Sequence, residues 1–175
     1  MLNSLRIQQI VLFFVIACFG IYVWAVLRYT VNMPYWDDYG AILNFLNNYV
    51  NSSFFEKLKL IFSQHNEHRI VFNRLIEIAQ YKLFGEVNFL YLIIIGNFGW
   101  GLVILLLWNY TKKSSCSLLL FTPVIFFMLT FVHFELMTWA MASLQQYYQI
   151  LFSLLAIYFM VTNKAISSYL FNPNC

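Results

Sequence analysis

Charge is what this chain has least of. Only 10% of its 175 residues are Asp, Glu, Lys or Arg, against 62% hydrophobic and 21% aromatic, which excludes an ordinary soluble domain. Acids are scarcer than bases, seven against ten, and the resulting +3 is too small to imply a nucleic-acid-binding face. Cysteine is equally sparse. Cys18, Cys116 and Cys175 have neither metal-ligand spacing nor the pattern of a disulfide framework, so they read as packing residues. No repeat, Gly/Ser linker or low-complexity tract divides the chain, which therefore reads as one all-α integral membrane domain, 1–175.

What the chain does contain is long charge-free runs, at 7–27, 87–111, 114–134 and 136–163. Each reaches the roughly 20 residues that a spanning helix requires. They predict four transmembrane helices, near 8–28, 88–109, 115–132 and 143–162, the last with Gln145, Gln146 and Gln149 at its start. The first run is too long for a signal peptide and has no A-x-A-like cleavage site after it, so it reads as a retained anchor.

Basic residues set the orientation. Arg6, Lys112, Lys113 and Lys164 fall on one side of a four-span topology with no acid among them, which makes that side and the N-terminus cytoplasmic. Every acid and every His then lies outside. Six of the seven acids and two of the three His lie between Asp37 and Glu86, inside one long external loop, 29–87. A membrane protein that gathers its ionisable groups in one place does its binding or chemistry there.

Within that loop the pattern predicts three interfacial helices, near 38–50, 54–62 and 66–84. Asp37 or Asp38 is expected to cap the first. Ser53 and Glu56 form a capping box for the second, whose Phe54, Phe55, Leu58 and Phe62 suit a lipid interface. The third would carry Asn66, Arg69, Asn73, Glu77 and Gln80 on one stripe and end at Gly85. Arg74 falls off that stripe, among Ile70, Val71 and Ile78, and calls for a buried partner or an internal cavity. In the second span Gly96, Gly99 and Gly101 invite close helix approach, and Asn97 should face protein.

The candidate chemistry is carboxylate and cation. Asp37 and Asp38 stand just outside the first span, where either could act as a general base or hold a divalent cation. Simple capping is the plainer alternative. His65 and His68 have the spacing of two imidazoles on one helix face, while Arg69 and Arg74 with the histidines suit a phosphate. Glu135 and Trp139 return to the same side between the third and fourth spans.

Together the W-D-D element, the H-N-E-H-R-I-V-F-N-R-L-I segment, the helix ending K-L-F-G, and the later F-V-H-F-E-L-M-T-W resemble bacterial C-type glycosyltransferase-like membrane proteins. Protein mannosyltransferases and aminoarabinose transferases share that architecture. Leu136 stands where the group usually has Asn. The resemblance implies a polyprenyl-phosphate-linked sugar donor and transfer in the cell envelope, at the inner (plasma) membrane. It implies that Asp37 or Asp38 activates an acceptor hydroxyl, and that His65, Glu67, His68, Arg69, Arg74, Glu135 and Trp139 bind substrate. Members carry more spans, so the chain is expected to be an N-terminal portion completed by further spans or a partner subunit. The alternative is a non-catalytic membrane subunit or scaffold that binds lipid or glycan headgroups.

Overall fold

The computed structural model describes residues 4–113 and 117–163. Cys116, Lys164 and Cys175 lie outside the described residues. The fold is 83% helical, without a strand among the described residues. Four helical stretches are long and apolar enough to cross a membrane. The chain is a helical, multi-pass membrane protein.

The first span is α1 (Ser4–Tyr29) and the second is α5 (Phe89–Lys113). The third is broken. Helix α6 (Leu118–Met128) contains Pro123 and gives way to a 3-10 turn, Phe131–His133, and then to the short α7 (Phe134–Thr138). At about 1.5 Å per residue α6 alone covers roughly half of the hydrocarbon thickness, so α7 belongs to the span rather than to the external turn expected there. Helix α8 (Ala140–Thr162) begins earlier than the expected 143 and takes all three glutamines into its first half.

α5 and α8 form the central pair of the bundle. Gly96 and Gly99 explain their closeness. A Cβ on Gly96 would stand 2.8 Å from the Ser143 backbone carbon, and one on Gly99 2.7 Å from the Tyr148 ring. Gly101, expected to share this role, has open space instead. Asn97 faces protein: it accepts from the Tyr22 hydroxyl at 2.6 Å and donates to the carbonyls of Ile93 and Met137, which ties α1, α5 and α7 together at membrane depth.

The 29–87 segment folds as a π-helical turn (Tyr39–Asn44), α2 (Phe45–Asn51), α3 (Phe54–Phe62) and α4 (Val71–Phe84). Helix α3 has the expected bounds, with Glu56 accepting from the Ser53 backbone N–H at 2.9 Å. Helix α4 starts at Val71, not 66, because 65–68 is a tight turn. His65 and His68 exchange both backbone hydrogen bonds, at 2.8 and 2.9 Å, and Asn66 sits in the left-handed region at φ +49°. The two imidazoles therefore do not share a helix face. At its other end Gly85 terminates α4 with φ +77°.

Helix α4 is inside out. Asn73, Arg74, Glu77 and Gln80 are buried, whereas Leu75, Ala79, Leu83 and Phe84 are exposed. The polar side of α4 is thus the packed one, and its apolar side is left on the protein surface. Phe54, Phe55 and Phe62 of α3 are exposed as well.

Candidate functional site

Asp38 holds the 29–87 segment to the bundle. It is 1% exposed. One carboxylate oxygen accepts from the Trp139 indole N–H and from the Met141 backbone N–H, both at 3.0 Å, while the other accepts from the Tyr35 N–H at 3.0 Å. Met141 lies in the first turn of α8, whose own N-cap position is Trp139, a side chain with no oxygen to offer. Asp38 thus supplies from a hundred residues away the anion that a helix N-terminus wants. It makes no cap hydrogen bond to the helix it precedes, contrary to the local capping role read from the sequence. Burial pushes its carboxyl above the ordinary range, against the three donors that pull it down.

Arg74 has the buried partner its position required. Its Nη1 donates to the carbonyls of Leu60 (2.6 Å), Ile61 (3.1 Å) and Ser63 (2.5 Å), the last turn and cap of α3. The guanidinium also lies 4.8 Å over the Phe45 ring. These contacts neutralise the partial negative charge of a helix C-terminus and lock α3, α2 and α4 together. They commit Arg74 to the scaffold.

One turn further along α4 is Glu77, a residue given no role by the sequence. It is 0% exposed, and neither carboxylate oxygen has a hydrogen-bond partner among the described residues. Burial raises its carboxyl to about 8, partly opposed by Arg74 and reinforced by Asp38. His65 leans on the same knot. Its ring carbon lies 3.4 Å from where a Gly40 Cβ would stand, and its Nε2 is buried without a hydrogen-bond partner among the described residues. Burial lowers its pKa, with Asp37 opposing and Arg74 and His68 assisting.

Asp37 differs from its neighbour. Its side chain is exposed, and its electrostatic neighbours are Asp38 and His65. Above the pair Tyr35, Trp36 and Trp139 form an aromatic cluster, with centroids 5.6 to 6.2 Å apart. Trp36 is 69% exposed and held at φ +46°, a backbone region that bulky side chains rarely occupy.

The remaining candidates divide between two surfaces. Glu67, His68 and Arg69 are exposed on the rim of a groove of about 420 Å³ against α8. Glu135 is exposed in a separate groove of about 540 Å³ beside Tyr29, Met33 and Tyr35. The structure thus bonds buried Asp38 to half-buried Trp139, bonds buried Arg74 to the end of α3, sets half-buried His65 against Gly40 with Asp37 exposed, and leaves the other four on exposed surfaces. Among the described residues no three His, Cys, Asp or Glu side chains gather as a metal site. Residues that the sequence reading left without a role are Glu77 and the α8 glutamines. Two of the latter sit four apart on an apolar helix, and that spacing was the available signal.

No family model, curated protein or solved structure matches the chain. Its class, a multi-pass helical membrane protein, rests on the four spans themselves.

Proposed function

We propose that the chain is a C-type glycosyltransferase-like membrane protein of the cell envelope, or the N-terminal portion of one. Its N-terminus is cytoplasmic, its 29–87 segment faces outward, and its donor is a polyprenyl-phosphate-linked sugar. The division of labour within the aspartate pair carries this reading. Asp38 is saturated by three N–H donors, while Asp37, the residue after Trp36, is exposed and has His65 among its electrostatic neighbours. Asp37 is the carboxylate free to act as a base.

The reaction then runs as a displacement. An acceptor hydroxyl oxygen attacks the anomeric carbon, its proton passes to the Asp37 carboxylate, and the bond from that carbon to the phosphate oxygen breaks with its electron pair leaving on phosphate. Arg69 and His68, both exposed, are the groups available to the departing phosphate. A chain carrying Asp37→Asn is expected to abolish glycan modification in the intact host system at unchanged protein abundance. Undiminished modification would overturn the catalytic reading and leave the alternative, a scaffold that binds lipid or glycan headgroups.

A further inference from the structure

Helix α8 is the least apolar of the four spans, and its polar residues are ordered. Gln145, Gln149 and Ser153 follow one another at intervals of four, on one face of the helix. All three line the same groove, whose opposite rim is Glu67, His68 and Arg69. Neither glutamine is hydrogen-bonded within the described residues, and Gln149 and Ser153 are exposed. A side-chain amide facing outward from a spanning helix is costly in hydrocarbon unless a polar ligand meets it.

The groove is built rather than incidental. Asn73 donates to the Met141 carbonyl at 3.2 Å and fixes α4 beside α8. Phe72 then stands 4.5 Å from Tyr148 and 5.0 Å from Phe152, ring centre to ring centre, forming an aromatic wall. From Gln145 to Ser153 the polar face descends about 12 Å along the helix. The Arg69 guanidinium and the His68 imidazole, on a rim they share with the Glu67 carboxylate, stand with an amide face below them and an aromatic wall, and this set matches an amphiphile with a phosphate-containing, hydroxyl-bearing head and an apolar tail.

We infer that the groove between the 65–70 turn and α8 binds the phosphate-containing headgroup of a membrane amphiphile, with Arg69 and His68 on the phosphate and Gln145 and Gln149 reading its oxygens. As a donor site it rests on the function proposed above, whereas as a lipid-phosphate site it stands alone. Gln145→Leu and Gln149→Leu test it, because leucine suits a spanning helix and leaves the fold intact. Gln146→Leu is the control, since Gln146 does not line the groove.

The purified chain in neutral detergent is titrated separately with undecaprenyl phosphate and with phosphatidylglycerol, and binding is read by native mass spectrometry. Each groove variant, and Arg69→Gln, should bind undecaprenyl phosphate about tenfold more weakly, while Gln146→Leu binds as the parent does. Unchanged affinity in both glutamine variants would overturn the site. Equal losses for both lipids would support a phosphate headgroup site and overturn its assignment to a polyprenyl donor. Unchanged binding together with loss of modification in Asp37→Asn would sink this inference and spare the proposed function; the reverse pattern would do the opposite.

Discussion

Replacing Glu77 by Gln should make the protein more stable, and increasingly so as the pH rises. In the folded chain this carboxyl titrates at about 8 against an ordinary 4.5, because it is buried with neither oxygen paired. Below pH 4.5 both folded and unfolded chains keep the proton, and Glu77 carries no ionisation penalty. Between 4.5 and 8 the unfolded chain releases a proton that the folded chain retains, so stability falls as pH rises. Above 8 both are ionised and the full penalty is in place. At about 1.4 kcal/mol per pH unit, the penalty is on the order of 3 kcal/mol at pH 7 and on the order of 5 kcal/mol at pH 9. Gln is the neutral near-isostere and removes it.

Thermal unfolding of Glu77→Gln and its parent in neutral detergent, followed by tryptophan fluorescence from pH 5 to 9, measures the difference directly. Asp38 has a raised pKa and adds a slope of the same sign, while the lowered pKa of His65 adds one of opposite sign. Both are present in parent and variant, so the difference curve isolates Glu77. Parallel curves would refute the reasoning, as would a variant less stable than its parent at pH 8.

Three further outcomes follow from the packing. Asp38→Asn should cost about 2–4 kcal/mol, since three N–H donors lose a charged acceptor, and should change the Trp139 near-ultraviolet signal; Asp37→Asn should leave the melt in place. Gly96→Val should destabilise by about 3 kcal/mol through collision with Ser143, whereas Gly101→Ala should stay within about 0.5 kcal/mol, both read by thermal melts in detergent. Arg74→Leu should cost roughly 3 kcal/mol by orphaning the α3 carbonyls, and protease cleavage between 62 and 70 should report the loosened segment.

Much of the site was legible in part. The acids and histidines of the 29–87 loop did announce a polar focus, and Arg74 was marked as needing a buried partner. That partner turned out to be the carbonyl end of α3, which no side-chain pattern encodes, because backbone carbonyls carry no sequence signature. Asp38 could not be told from Asp37 for a similar reason: the two are chemically identical, and only the distant N-terminus of α8 distinguishes them.

The covalent sequence alone determined the class of molecule. Charge-free runs of twenty or more residues suit hydrocarbon, so four spans, the long segment between the first two, the Ser53–Glu56 start and the Gly85 stop could all be read from local chemistry. Direction was another matter. Whether the polar stripe of α4 faced water or protein, whether 65–68 continued a helix or turned, and where the third span broke depended on what each segment met across the fold. Periodicity tells which side chains share a face, but burial is a property of neighbours, and here the end of α3, the start of α8 and the Asn88 backbone take up the polar side of α4.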